Sequence, residues 1–86
     1  MSGKFTKTLE TTLLINNKKH TLDIIAELWE GDREWTIDID LENMSIDGDL
    51  EELEEALNDY FNYNLHEYED GDVVELKYDD TEFIEV

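Results

Sequence analysis

The apolar residues of this chain change spacing twice, and each change marks a change of secondary structure. From Phe5 to Leu41 they fall mainly on alternate positions. From Leu50 to Phe61 they fall at steps of three and four, and from Val73 they alternate again. Side chains alternate across a strand and return to one face of a helix every 3.6 residues. The pattern therefore predicts three strands, one helix and two strands, in that order.

The first strand is expected over Phe5 to Ile15. Phe5, Leu9, Leu13 and Ile15 share one face, with Thr6, Thr8, Glu10 and Thr12 on the other. Asn16-Asn17-Lys18-Lys19 supplies residues that tolerate left-handed backbone, as a hairpin turn needs. His20 to Trp29 is the second strand, with Leu22, Ile24, Ala26 and Leu28 inward, and Glu30-Gly31-Asp32-Arg33 the second turn. Glu34 to Glu42 alternates most cleanly: Trp35, Ile37, Ile39 and Leu41 inward, Glu34, Thr36, Asp38, Asp40 and Glu42 outward. Trp29 and Trp35 flank the turn and are expected to meet across it.

Asn43 to Gly48 is read as a connection. Asp49 then has the chemistry of an N-cap, with Glu52 three residues on as in a capping box. The helix is predicted from about Leu50 to Tyr63, with Leu50, Leu53, Leu57, Tyr60 and Phe61 as its apolar stripe. Leu65 to Asp72 is a loop turning at Glu69-Asp70-Gly71-Asp72. Val73 to Tyr78 and Glu82 to Val86 are strands joined at Asp79-Asp80-Thr81. With no βαβ alternation, the expected fold class is α+β: one domain over residues 1–86, an antiparallel sheet of four to five strands with the helix packed on one face.

The charge is as patterned as the hydrophobicity. Net charge is −19, all of it in the last 53 residues, because residues 1–33 carry five acids and five bases. From Glu34 to Asp72 there are fifteen acids and no Lys or Arg. Such a chain repels nucleic acid and anionic membrane and attracts basic surfaces. Aromatic and aliphatic content is too high for a disordered acidic tail. Whole-surface adaptation to high salt is disfavoured by the neutral first third.

Little else carries chemistry. The chain has no Cys, so no thiolate chemistry and no Cys-based metal site. Ser2 and Ser45 lie in no nucleophile-elbow setting, His20 and His66 are expected at a turn edge and in a loop, and no phosphate loop or dinucleotide fingerprint is present. An EF-hand reading of Asp47-Gly48-Asp49 fails, because the glycine falls second rather than sixth. The chain is read as a non-enzyme without metal or cofactor. It has no apolar h-region at the N-terminus and no stretch of transmembrane length.

What remains is the acid layout. Carboxylates on one strand face repeat every 6.6–6.8 Å or so, and helix neighbours three and four apart stand about 5–6 Å apart. Both spacings are on the scale of nucleic-acid phosphates. The candidate partner-binding residues are Glu34, Asp38, Asp40 and Glu42, the helix acids Glu51, Glu52, Glu54, Glu55 and Asp59, and the loop acids Glu67, Glu69, Asp70 and Asp72. Tyr63 and Tyr68 are the candidate exposed aromatic anchors.

On the strand row Glu34/Asp38/Asp40/Glu42 and the helix face Glu51 to Asp59, about half of the chain, the sequence resembles the small acidic phage-encoded DNA-mimic proteins, among them anti-restriction and anti-CRISPR inhibitors. Those proteins share a charge layout rather than a fold or motif. The resemblance implies a stoichiometric inhibitor occupying the basic nucleic-acid groove of a host defence nuclease in the host-cell cytoplasm. The alternatives are an immunity protein neutralising a basic toxin and a calcium-binding or scaffold domain. A homodimer would lengthen the charged track.

Overall fold

The computed structural model describes residues 3–42, 44–46 and 48–86; Met1, Ser2, Asn43 and Asp47, including the parts of the predicted connection and the Asp47-Gly48-Asp49 motif that fall on them, lie outside the described residues. The elements are β1 (Lys4–Ile15), β2 (Lys18–Trp29), β3 (Thr36–Asp38), helix α1 (Leu50–Asn64), a 3₁₀ turn (Leu65–Glu67), β4 (Val73–Asp79) and β5 (Glu82–Glu85). They form one five-stranded sheet in the order β3-β2-β1-β4-β5. The fold class is α+β, with the predicted element order.

One feature of the sheet corrects the expectation. It is mixed: β1 and β2 pair antiparallel, as do β2 with β3 and β4 with β5, but β1 and β4 run parallel. It follows that β3 and β4 are parallel too, with β2 and β1 between them. Parallel strands need a long crossover, and the segment from β3 through α1 to β4 is that crossover. The strand–helix–strand unit went unread in the sequence because its two strands are not neighbours in the sheet.

The β1–β2 and β4–β5 hairpins close through two-residue turns with both central residues at positive φ: Asn16 and Asn17 (φ 51 and 65) and Asp80 and Thr81 (φ 49 and 70). Turns of this hand match the strand twist. The first turn uses only Asn16-Asn17, so Lys18 and Lys19 join a β2 longer than predicted.

Helix α1 buries Leu53, Ala56, Leu57 and Phe61 against Leu9, Leu13, Ile24, Ala26, Val74, Leu76 and Phe83 of the sheet. Asp49 accepts from the amides of Glu51 and Glu52, as an N-cap should, at 3.1 and 3.4 Å. The last turn contains no base of its own. Instead Lys7, reaching across from β1, donates to the Leu65 carbonyl at 3.2 Å, and its ammonium lies 4.9 Å from the centre of the Trp35 ring. One cation thus answers the negative end of the helix dipole and ties β1, α1 and the segment before β3 together.

A twelve-residue strand is about 40 Å long, whereas a fifteen-residue helix is about 22 Å. The helix starts beside Ile15 and Asn16 and ends beside Lys7. Beyond Lys7 the β1–β2 hairpin is uncovered, so Phe5, predicted in the core, is 66% exposed.

The third strand is shorter than predicted. Only Thr36–Asp38 pairs with β2. Asp38, Asp40 and Glu42 are poor strand formers, and the chain must leave the sheet here to begin the crossover. The alternation persists without a ladder: Leu41 is fully buried, Ile39 half-buried, and Asp40 and Glu42 exposed. The two tryptophans do not meet. Trp29 pairs with Lys4, whose ammonium lies 5.0 Å from its ring centre, while Trp35 lies against Lys7 on the helix side. The expected loop Leu65 to Asp72 begins with the 3₁₀ turn and buries Leu65.

Replacing Lys7 with Met keeps most of the stem's packing and removes the ammonium. The expected cost is about 1–2 kcal/mol, read as a lower urea midpoint with an unchanged slope.

Candidate functional site

The helix carries the most regular part of the acidic surface. Glu51, Glu55 and Asp59 stand four residues apart on its exposed side, with Glu52 beside them and Glu54 half-buried. Among the described residues, none of these five makes a hydrogen bond through its side chain or an ion pair, and the one ion pair found is Lys4 to Glu27 at 3.4 Å. Lys4, Lys19 and Lys77 point from the sheet face opposite the helix. Lys7 is turned under the helix end.

The strand row does not lie in the same plane as the helix row. Asp38 pairs with Ile25, and Ile37 with the buried Ala26. Partners across a ladder share a face, so Asp38 points to the uncovered face and Ile37 to the helix side. The two rows converge at the sheet edge. Ile37, Asp38 and Ile39 form one wall of a shallow cleft, and Glu51, Glu54, Glu55 and Asn58 form the other. The acidic surface thus wraps around the β3 edge. Glu34 stands exposed at the start of the row, next to Arg33, with which it lines a second cleft below the helix end.

Several candidate acids have structural work. Asp40 accepts from the Glu42 amide at 3.1 Å. Asp70 accepts from the Thr8 amide at 2.8 Å, while the Gly71 amide donates to the Thr8 carbonyl at 2.9 Å. The turn thereby continues the β1 ladder past the start of β4. Asp72 accepts from the Glu69 amide at 2.8 Å and closes the turn. Glu67 and Glu69 are exposed on the far side of the helix end. Among the described residues, the candidate acids that make no such bond are the exposed Glu34, Asp38, Glu42, Glu51, Glu52, Glu55, Asp59, Glu67 and Glu69 and the half-buried Glu54.

The two candidate tyrosines part company. Tyr63 is 79% exposed. Tyr68 folds in, its hydroxyl 2.7 Å from that of Tyr60, and both rings meet Phe61 edge-on. Burial, and then the Tyr68 hydroxyl, push the Tyr60 pKa well above the usual phenol value. A groove that the sequence reading missed lies on the other flank of the helix. Ala56, Asp59, Tyr60, Tyr63 and Asn64 face Thr81, Glu82 and Phe83 across it. The one legible signal was the helical spacing of 56, 59, 60, 63 and 64.

The molecule measures 45 × 22 × 21 Å. A DNA duplex 45 Å long carries about 26 phosphates, and this chain carries 25 acidic side chains and a net charge of −19. Neither a protein-family model, nor a curated protein, nor a solved structure matches the chain.

Two expectations follow. Glu55 repels both Glu51 and Asp59, so Glu55→Lys should stabilise the fold by about 0.5–1 kcal/mol, with a higher melting temperature at low salt and a smaller gain at high salt. Tyr60 stays neutral in the folded state at a pH where it ionises in the unfolded chain. Its contribution is complete below about pH 10 and is lost as pH rises above it. Tyr78 is raised in the same direction by burial and by nearby carboxylates, so it shares the effect. The urea midpoint should therefore fall more between pH 8 and 11 or so in the native protein than in Tyr60→Phe.

Proposed function

We propose that this protein is a non-catalytic DNA mimic, which binds the basic nucleic-acid groove of a host defence nuclease, of a CRISPR–Cas or restriction system, and blocks DNA binding. The observation that carries the proposal is the set of exposed carboxylates Asp38, Glu51, Glu52, Glu55 and Asp59 around α1 and the β3 edge, which make no ion pair among the described residues. They stand on a rod whose charge per unit length approaches that of a duplex. Lys and Arg of the target groove supply the missing cations.

The mechanism is competitive occupation. Long-range attraction brings the rod to the groove, and complementary potentials set its register. At physiological salt the Debye length is about 8 Å, so each exposed carboxylate acts mainly on the cations directly beneath it. The arrangement on α1 therefore counts for more than the total charge. The site of action is the host-cell cytoplasm, where such nucleases meet incoming DNA.

The test begins with capture of the target from bacterial lysate at low salt and its elution with a salt gradient. Affinity for the captured protein should weaken at least tenfold between about 50 and about 500 mM salt, and duplex DNA should compete. Affinity that ignores salt would end the mimicry reading. The triple variant Glu51→Lys, Glu55→Lys, Asp59→Lys should lose about a hundredfold in affinity while keeping its circular dichroism spectrum. Asp23→Lys, on the opposite face, should bind nearly as well as the native protein.

A further inference from the structure

We infer that the groove between α1 and β5 is a docking site for an extended, basic segment of a partner protein, which joins the sheet as an additional strand beside β5. β5 is an edge strand, paired among the described residues with β4 alone. Along an antiparallel pair the main-chain groups alternate between facing the partner strand and facing away. Asp79 and Glu82 close the two-residue hairpin, and the Val86 amide donates to the Glu75 carbonyl at 3.1 Å. The amides and carbonyls of Phe83 and Glu85 consequently point outward, where an added strand would meet them. An exposed edge of this kind is a template for strand addition.

The groove beside that edge has the shape and chemistry for one kind of occupant. Its helix wall presents Ala56, Asp59, Tyr60 and Tyr63, and its strand wall Glu82 and Phe83. Ala56 is small and keeps the floor open. Phe83 is buried beneath, its ring 5.1 Å from that of Tyr78. The Tyr60 ring is fixed by its hydroxyl bond to Tyr68. Tyr63 stands almost wholly in solvent, a poor use of an aromatic ring unless something covers it. Asp59 and Glu85 are exposed on the helix side of the groove, Glu82 points to the opposite face of the sheet, and no base lines the groove among the described residues. A Lys or Arg side chain entering here meets carboxylates and the Tyr63 ring together. A second copy of this chain is the wrong occupant. It would bring a strand that carries Glu82 and Glu85 and no base to a groove that already holds Asp59 and Glu85, so charge opposes the pairing.

The inference depends on the proposed function only for the sign of the partner's charge. The test uses the whole protein, isotope-labelled, with an octapeptide alternating Arg and Val as the probe. Two control peptides carry Glu in place of Arg, or N-methyl groups on alternate amides. The Arg–Val peptide should slow amide exchange at Phe83 and Glu85 by about tenfold or more, and neither control should. Tyr63→Ala, at an exposed position, should weaken peptide binding about tenfold. Equal binding of the N-methylated peptide, peptide-induced shifts confined to Glu51 and Glu55, or self-association without peptide would overturn the site. Those results leave the salt-dependence test on the captured target untouched. Conversely, capture that ignores salt would refute mimicry without touching protection at Phe83 and Glu85.

Discussion

The fold depends on one contact layer, the apolar side of α1 against one face of the sheet. The surface around it carries a net charge of −19, and the layer must outweigh the repulsion. Burying a side chain such as Leu53, Leu57 or Phe61 stabilises by about 1.5–3 kcal/mol. Each like-charged pair at helical spacing costs roughly 0.2–0.5 kcal/mol. The helix acids form a few such pairs, so their repulsion is on the order of 1–2 kcal/mol. Three buried side chains exceed that severalfold. Charges at opposite ends of the 45 Å rod scarcely interact at physiological salt, so the repulsion stays local. A single well-packed layer is therefore enough to carry a net charge of −19.

That layer also explains what was legible in the sequence. The helix stripe and the alternation of β1 and β2 were readable because each is a local period, and the structure buries Leu9, Leu13, Ile24, Leu53, Leu57 and Phe61 accordingly. The N-cap Asp49 was readable because capping chemistry spans only three residues. What escaped was non-local. The parallel pairing of β1 with β4 depends on where the crossover lands. The exposure of Phe5 depends on the helix being shorter than the strand it covers. Lys7, counted as one of five bases in a neutral segment, caps a helix end 58 residues away. For the candidate site, the exposure of the helix acids followed from their period. The bend between the two acidic rows did not, since only the pairing of Asp38 with Ile25 fixes the direction of that side chain.

The acids divide into two sorts, and the division matters for interpreting variants. Asp40, Asp49, Asp70 and Asp72 accept backbone amides and hold turns or a helix end. Replacing them perturbs the backbone as well as the charge. The solvent-facing acids of α1 have no such role, so their replacement changes the surface alone. Natural sequences place Lys among helix acids for solubility and for pairing. Its omission from Glu51 to Asp59 is a local stability cost with no return inside the fold, which is the physical reason for assigning the return to a partner.

The helix links the two proposed surfaces. Its one flank carries Glu51, Glu54 and Glu55 toward β3, and the other carries Asp59, Tyr60 and Tyr63 toward β5. The first surface attracts at a distance, is sensitive to salt, and discriminates little among basic grooves. The second offers main-chain hydrogen bonds and an aromatic ring, both short-ranged and far less screened. Charge alone would leave such a protein bound to every basic surface in the cell. The groove proposed to accept a strand, on the opposite flank of the same helix, would supply geometry, because only a partner with an extended basic segment at the right distance could engage both. Both surfaces stand on one helix, hydrogen-bonded at its ends by Asp49 and Lys7, so the distance between them is set by the fold. On the proposed reading, partner choice rests on the spacing of the two surfaces, and affinity on the charge.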